Sequence, residues 1–282
     1  AFTGGCHHSG SCENFQQSCG DCKFVKNPNP SDLSHRMWEA KKTGFASKNL
    51  HIITCSDWLQ ARAEKSTILG HRSIDSIPNA IDTDFFYPVP EAKKALQLNP
   101  DKNYILFVAM RVNTPTKGFT YLKEALQIWK QANSEQSKNT ELLIVGNIQD
   151  AQEIDALALP STSLGHIADP EQMRLIYAAS ELFITPSLEE NLPNTIMEAM
   201  ACGTPCIGFN VGGIPEMIDH KQNGFVAEYR SAQSLADGLQ WTLENKPGEA
   251  ARDKVLANYS VANIANKHSA LYHKFLNDGR KA

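Results

Sequence analysis

From about residue 100 onward, short apolar segments alternate with stretches that have the periodicity of an amphipathic helix. Between the apolar segments, apolar side chains recur at helical spacing, as at Phe119, Leu122 and Leu126. Strands that are apolar throughout and alternate with amphipathic helices indicate a parallel sheet covered on both faces. The pattern therefore predicts a doubly wound α/β domain. Its strands are predicted at residues 104–110, 142–146, 182–185, 206–209 and 225–227.

The first third of the chain is less regular. Helix-like patterns at residues 36–48 and 57–66 surround a short apolar strand at 51–55, and a second strand is predicted near 74–77. From residue 77 to 88, prolines forbid a helix, and Asn and Asp favour turns. This segment is therefore predicted to cross between two domains.

Composition excludes several classes of protein. The longest apolar run has six residues, whereas a membrane helix needs about 18. A net charge of −4 without a stripe of lysine and arginine argues against a nucleic-acid partner. No Gly-x-Gly-x-x-Gly follows any predicted strand, which argues against a dinucleotide-dependent dehydrogenase.

The seven cysteines are unevenly placed. Three lie singly in apolar stretches, and this odd set indicates a reducing compartment, so a cytoplasmic protein is predicted. The last two of the four N-terminal cysteines have the Cys-x2-Cys spacing of metal ligands, but the earlier spacings are wider than in a zinc knuckle. A structural zinc site, disulfides and free thiols all stay open here. The residues concerned are Cys6, Cys12, Cys19 and Cys22, with His7 and His8 alongside.

Ligands of open parallel sheets bind at the carboxyl ends of the strands, so the residues after each strand are candidate site residues. Arg111 and Lys117 flank a proline-containing loop, and Gly118 opens the next helix. Such a loop can direct two cations at one anion, although a solvated loop with two surface cations is the alternative. Further along, Gly212 and Gly213 permit a close backbone approach or a plain tight turn.

Two glutamates with seven residues between them follow the strand at 182–185. Glu190 lies in a loop, and Glu198 lies within a predicted helix of about ten residues that begins at Pro193 and stops at Gly203. Because its helix neighbours are apolar, Glu198 needs a partner such as a hydroxyl, a cation or a ligand. An internal salt bridge is the structural alternative.

Together these segments resemble the retaining glycosyltransferases of the group 1 family, also called family 4, which have the two-domain GT-B fold. The resemblance runs from about residue 55 to about 227, and the order and spacing of its parts make it specific. The parts are Ser56-Asp-Trp, the crossing at 77–85, the Arg111/Lys117-Gly pair, Leu164-Gly-His-Ile, residues 176–187, the Glu-x7-Glu unit, Met200-Ala-Cys-Gly-Thr-Pro and Asn223-Gly-Phe.

The resemblance implies catalytic roles for three side chains. Arg111 and Lys117 are expected to hold the diphosphate of a nucleotide-sugar donor and to stabilise charge on the leaving group. Glu190 is expected to contact the donor sugar, with backbone groups of Asn191 and Leu192 approaching the sugar or the phosphates. Fixed cations suit this task because negative charge develops on the leaving group, and no cofactor is expected to be required for catalysis.

The rest of the donor is assigned in the same way. The resemblance implies that Glu198 binds the ribose hydroxyls and that Gly165, His166 and Ile167 line the base. Two departures stand out. The family's common Gly-Phe-Gly after the first glutamate is replaced by residues 191–194, Asn-Leu-Pro-Asn, which makes the sugar-facing loop stiffer and leaves the donor sugar open. The loop between the two cations is also one residue longer than expected.

The resemblance predicts three parts. Residues 1–85 are expected to be a partial N-terminal, acceptor-side domain with a Cys-rich segment at 1–30. Residues 86–260 are expected to be a complete C-terminal Rossmann-like domain that binds the nucleotide sugar, and residues 261–282 a helix returning toward the N-terminal domain. Because such a domain has about 150 residues or more, the N-terminal one is expected to be truncated.

The predicted function is a retaining glycosyltransferase of the hexosyltransferase type. It is expected to use a nucleotide-sugar donor, built on UDP or GDP, and a saccharide or lipid-linked acceptor in bacterial surface-polysaccharide synthesis, with peripheral membrane association left open. A non-catalytic nucleotide- or metal-binding module is the alternative. A glycosidase using Glu190 and Glu198 as paired carboxylates does not account for Arg111 and Lys117.

Overall fold

The computed structural model describes residues 2–6, 10–148, 154 and 156–279. The chain divides into two compact units, Ala1–Pro78 and Asn79–Ala282. The division falls inside the proline-rich segment that was expected to cross between domains. The finer assignment, with a boundary after residue 85 and a separate C-terminal helix, stays a prediction.

The second unit contains one parallel sheet of six strands in the order β5-β4-β3-β6-β7-β8. In this order, β4 and β5 lie on one side of β3, and β6, β7 and β8 lie on the other side. The carboxyl ends of β3 and β6 therefore form a topological switch point, where α/β sheets bind ligands. The strands are β3 (Asn103–Arg111), β4 (Thr140–Asn147), β5 (Ser161–Gly165), β6 (Leu182–Thr185), β7 (Cys206–Phe209) and β8 (Gly224–Ala227).

The doubly wound α/β prediction is confirmed, and all five predicted strands of this region are present. Strand β5 was not predicted, because its sequence, Ser-Thr-Ser-Leu-Gly, has no apolar run. It lies at one edge of the sheet, where no residue of it is fully buried. An edge strand can be polar because only one side pairs with the sheet.

Helices cover both faces of this sheet. Alternate residues of β3 point to opposite faces: Ile105 and Phe107 belong to one core cluster, and Tyr104 and Leu106 to the other. Within the described residues, the α-helices given for this unit are α3 (Ala92–Ala95), α4 (Phe119–Ala132), α5 (Ser134–Lys138), α6 (Pro170–Ala179), α7 (Asn194–Ala201), α8 (Ile214–Met217), α9 (Ala232–Asn245), α10 (Gly248–Asn258) and α11 (Val261–Gly279).

The layers are set by amphipathic helices. Helices α4 and α9 pack on the first face, and α6, α7 and α10 on the second. Helix α7 is apolar almost all round, since its five residues Ile196, Met197 and 199–201 are buried. This close packing places the one carboxylate of the helix, Glu198, beside the sheet.

The first unit is smaller and is built around a two-stranded parallel sheet. Strands β1 (His51–Thr54) and β2 (Ser73–Ser76) pair in register, and helices α1 (Leu33–Ala46) and α2 (Asp57–Glu64) accompany them. The described residues before α1, 2–6 and 10–32, are irregular apart from a 3-10 turn at Asn14–Gln16. They are nevertheless anchored, because Phe2 and Phe15 meet edge to face at 5.0 Å within the small core of this unit.

Among the helices of the described residues, none is long and apolar enough to cross a membrane.

Candidate functional site

The loops that follow β3 and β6 are tied together through their backbones. Leu188 N–H donates to the carbonyl of Thr116 at 2.7 Å. Gly118 has a φ of +68°, and a Cβ at this position would lie 1.8 Å from the carbonyl oxygen of Pro186. Only glycine allows both the left-handed backbone and this contact, so the turn after Lys117 is fixed against the β6 loop.

A second pair of backbone contacts joins the β6 loop to the loop after β7. Gly213 N–H donates to the carbonyl of Asn191 at 2.6 Å. At Gly212, where φ is +59°, a Cβ would lie 2.0 Å from the carbonyl oxygen of Glu190. The close approach predicted from the paired glycines is therefore present. The three loops at the switch point support one another without depending on side chains.

The two predicted cations stand at the carboxyl end of β3. Arg111 is the last residue of the strand, after a register shift with β4, and its side chain is exposed. Lys117 Nζ lies 2.5 Å from Glu190 Oε1, and the two side chains are 35% and 16% exposed. The sequence predicted Lys117 and Glu190 as site residues. It did not predict their ion pair, because the two residues are 73 positions apart.

Next to these loops, a cavity of about 210 Å³ opens at the carboxyl ends of β3 and β4, and we call it the strand-end cavity. It unites residues from five parts of the chain: β3, β4, the segment after β5, α6 and α7. Its lining includes Val108, Gly146, His166, Ile167, Tyr177 and Glu198. Two of the three residues predicted to line a base, His166 and Ile167, therefore share one cavity with the glutamate predicted to bind a ribose.

Glu198 has the hydroxyl partner that its apolar surroundings demand. Tyr177 Oη donates to Glu198 Oε2 at 2.9 Å. Burial raises the pKa of Glu198, and the hydrogen bond from Tyr177 partly opposes this by favouring the charged form. The salt-bridge alternative is wrong for the described residues, since no described cation pairs with Glu198.

Tyr177 was not predicted as a site residue. Its spacing with Met173 and Ile176 marks it as a core position, and it is indeed fully buried. The available signal was chemical: a tyrosine on the buried face of a helix needs a partner for its hydroxyl. The sequence could not show that the partner is Glu198, which belongs to another helix.

The segment predicted to line a base turns sharply out of β5. Gly165 has a φ of +66° with open space around its Cα, so it supplies the turn. His166 is exposed and Ile167 is partly buried against the second core cluster, and both line the strand-end cavity. Their roles toward a base stay a prediction.

The stiff segment after Glu190 leads directly into helix α7. Leu192 is 6% exposed, so its side chain belongs to the core, and the approach of its backbone to a sugar or phosphate stays a prediction. Pro193 lies just before the helix, which runs for eight residues rather than ten. The prediction overestimated the length because residues 202–203 already form a turn.

The four N-terminal cysteines line a cavity of about 240 Å³ in the first unit, the cysteine cavity. All four are partly buried, and no disulfide links any of the chain's seven cysteines. Within the described residues, no three His, Cys, Asp or Glu side chains are grouped so that they could hold one metal ion. His7 and His8, which were placed beside the cluster, lie outside the described residues. The zinc alternative stays a prediction.

The second half of the cysteine cluster has a defined local structure. Cys19 and Asp21 adopt positive φ angles of 52° and 47°, and Gly4 N–H donates to Cys19 Sγ at 3.2 Å. Burial is the main cause of the raised pKa of Cys19, and the other three thiols raise it further. Asp32 accepts from the Cys22 N–H at 2.8 Å and also caps α1. Cys19 and Cys22 are thus each held by a hydrogen bond from a backbone N–H.

Comparison with known proteins bears on the second unit above all. The family model for glycosyl transferases group 1 matches residues 88–259, which is more than half of the chain. The chain is 34% identical over 110 residues to N-acetyl-alpha-D-glucosaminyl L-malate synthase of Bacillus anthracis. That match covers 37% of this chain and 29% of the relative.

Solved structures of glycosyltransferases superpose on this chain. Sucrose-phosphate synthase from Thermosynechococcus elongatus superposes with a TM-score of 0.71 at 26% identity, covering 88% of this chain and 63% of that one. Anabaena HepE, solved in complex with UDP and glucose, gives a TM-score of 0.65 at 22% identity, covering 84% and 66%. These neighbours show the GT-B fold, of which this chain holds one complete Rossmann-like domain. The chain spans less than two thirds of the length of each of these three proteins.

Proposed function

The chain belongs to the group 1 glycosyl transferases, and we propose that it carries the donor-binding half of a retaining glycosyltransferase. This enzyme would move a sugar from a nucleoside-diphosphate sugar to a saccharide or lipid-linked acceptor. The observation that carries the proposal is the strand-end cavity, in which Glu198 lies with His166 and Ile167 at the carboxyl ends of β3 and β4. A ribose and a base need these two kinds of contact side by side.

The diphosphate is proposed to lie over the loop between Arg111 and Lys117. Lys117 Nζ forms an ion pair with Glu190 Oε1 at 2.5 Å. A diphosphate that enters must therefore compete with, or share, the carboxylate for this cation. As the bond to the sugar breaks, charge grows on the leaving phosphate, and the two cations stabilise it in proportion.

Glu190 is proposed to turn from Lys117 toward the donor sugar once the phosphates take the lysine. Its backbone cannot follow freely, because its carbonyl oxygen lies against Gly212 and the next carbonyl is bonded to Gly213. A fixed backbone with a mobile carboxylate suits the recognition of a sugar hydroxyl. Retention of configuration belongs to the same proposal and rests on the family alone.

We further propose a cytoplasmic setting in bacterial surface-polysaccharide synthesis. Seven cysteines without a disulfide are compatible with a reducing compartment. A UDP or GDP sugar is the first donor class to test, and the UDP bound to HepE supports the uridine form. Association with the inner face of a membrane would follow from a lipid-linked acceptor.

A thermal-shift panel with UDP, GDP, ADP and their sugar conjugates tests the donor site. A ligand at 100 times its Kd adds about 2.7 kcal/mol, or some 5–10 °C in melting temperature at this size. We expect one nucleotide to stabilise the chain and Arg111→Ala to remove most of the shift. A cooperative melt that no nucleotide moves would contradict the proposal. Binding without sugar transfer or donor hydrolysis by the full-length protein would favour the non-catalytic alternative.

A further inference from the structure

Tyr177 and Glu198 form a buried bridge between two helices at the back of the strand-end cavity. Tyr177 lies on α6 and Glu198 on α7, and the bond between them, at 2.9 Å, occupies Glu198 Oε2. From none of the described residues does the other carboxylate oxygen, Oε1, accept a hydrogen bond. Since Glu198 lines the cavity, one oxygen is held by the protein and the other is left for a ligand.

The tyrosine ring itself has little freedom. It packs edge-on against Phe183 of β6, with ring centroids 6.1 Å apart, and against Phe86, at 6.5 Å. The backbone of Tyr177 is fixed as well, because its carbonyl accepts from Thr204 Oγ1 at 2.7 Å. The hydroxyl is thus delivered to a fixed point, and the carboxylate that binds it is orientated in turn.

We infer that Tyr177 is a positioning residue that fixes Glu198 for recognition of ribose hydroxyls, so that the cavity selects ribonucleotides over deoxyribonucleotides. The inference rests on the proposed function, because it concerns the same site. It goes beyond that proposal by assigning the ribose preference to a residue that need not touch the nucleotide.

The importance of the hydrogen bond from Tyr177 to Glu198 follows from what would happen without the tyrosine hydroxyl. With phenylalanine at 177, Oε2 would be left in an apolar cavity without a donor, which is costly for a charged oxygen. The carboxylate would then be protonated more readily and would rotate between conformers. Either change weakens its ability to accept two hydrogen bonds from a cis-diol.

Few other titratable groups face Glu198. His166 lines the same cavity, and Cys202 follows at the end of α7. Arg174 of α6 and Arg252 of α10 act electrostatically on Cys202, and burial is the main influence on Glu198, followed by the bond from Tyr177. A pH effect on ribose preference is therefore expected to report this carboxylate, with His166→Ala as the check on the histidine.

The test compares the dissociation constants of UDP and GDP with those of their 2′-deoxy and 3′-deoxy analogues by calorimetry. The proteins are wild type, Tyr177→Phe, Glu198→Gln and Tyr104→Phe. Tyr104 is the matched control: it is also buried, and its hydroxyl accepts from Asn99 N–H at 3.0 Å, but it lies at the opposite end of β3. Both tyrosine variants remove one oxygen from a buried ring.

We expect wild type to prefer the ribonucleotide by about 10-fold or more, the contribution of a hydrogen bond to a charged group. Glu198→Gln should lose most of this preference, and Tyr177→Phe should reduce it by about 3-fold or more. Tyr104→Phe should leave the preference unchanged even if it lowers the melting temperature. The preference should also strengthen as pH rises through the pKa of Glu198, with a midpoint that moves upward in Tyr177→Phe.

Three results would overturn the inference, and they differ from one another. A wild-type chain that binds none of the nucleotides overturns the proposed function as well. A wild-type preference that disappears in Glu198→Gln but stays intact in Tyr177→Phe overturns only the role of Tyr177. If Tyr177→Phe does not melt cooperatively, Glu198→Asp replaces it, since it keeps the charge but withdraws the carboxylate from the hydroxyl. A full ribose preference in Glu198→Asp then overturns the inference.

Discussion

The strand-end cavity and the cysteine cavity have similar volumes, about 210 and 240 Å³, but they are assembled in opposite ways. The first gathers residues from position 108 to position 198, and a parallel sheet brings them together. The second is lined by residues 3–34, mostly from irregular chain. A fold that converges distant strand ends produces an ordered site before any ligand arrives, whereas a local cluster depends on its own loops for order.

The largest effect on activity is expected when a cation is removed from the loop at the end of β3. Arg111→Ala or Lys117→Ala is expected to lower kcat of the full-length enzyme by about 100-fold or more, because a preorganised charge on the leaving group is lost. Steady-state transfer kinetics measure this. Lys138→Ala is the control, since that exposed lysine pairs with an exposed neighbour, Glu135, on α5. An equal loss in the control would remove the distinction between site and surface.

The backbone ties of the strand-end loops predict a large stability effect at one glycine. Gly118→Ala is expected to destabilise the chain by about 2–4 kcal/mol, from the left-handed φ together with the clash on Pro186. Gly165→Ala is the matched variant, with nearly the same φ but open space, and should cost only about 1–2 kcal/mol. Urea denaturation measures the free energy of unfolding of each variant. Equal costs would show that the contact with Pro186 is not rigid.

Zinc binding would remove the difference between the two cavities, because the cysteine cavity would then also be an ordered binding site. If the zinc prediction holds, the reduced chain takes up one Zn²⁺ and its melting temperature rises by several degrees, as ligand linkage requires. Cys19→Ser and Cys22→Ser should abolish the uptake, and Cys55→Ser, outside the cavity, should retain it. Metal analysis after gel filtration gives the stoichiometry. Four thiols that react freely with a thiol reagent in excess Zn²⁺ would refute the prediction.

A smaller effect is expected where the cysteine cavity meets α1. Hydrogen bonds from the Ser34 side chain and then from Cys22 N–H hold the pKa of Asp32 below its usual range. A carboxylate with a lowered folded-state pKa contributes stability above its unfolded value, near 3.9, and that stability is lost as pH falls below it. The melting temperature should therefore fall between about pH 5 and 2, and less steeply in Asp32→Asn. Parallel slopes in both proteins would contradict this.

Much of the strand-end cavity could be read from the sequence, because strand ends in a parallel sheet must meet. The apolar runs gave β3, β4 and β6, and the apolar neighbours of Glu198 indicated that it needs a partner. The identity of that partner was beyond reach, since Tyr177 and Glu198 lie on different helices. The ion pair of Lys117 with Glu190 was missed for the same reason.

The cysteine cavity shows the opposite balance. Its four cysteines are obvious in the sequence, yet their spacing left zinc, disulfides and free thiols open. The structure has no disulfide among them, and it does not choose between zinc and free thiols. The local backbone, with its left-handed residues at Cys19 and Asp21, could not be foreseen either. Spacing alone predicts neighbours; it does not predict whether their sulfur atoms converge.

The backbone ties between the three loops have a consequence for how such a protein can diversify. Because the scaffold around Glu190 is held by main-chain bonds and two glycines, the side chains of Asn191 and Asn194, which are not buried, can be exchanged without moving the loop that presents them. Sugar choice can then change by substitution while the phosphate anchor keeps its place. For protein engineering, Asn191 and Asn194 are the positions to randomise, while the buried Leu192 and the two glycines Gly118 and Gly212 are kept.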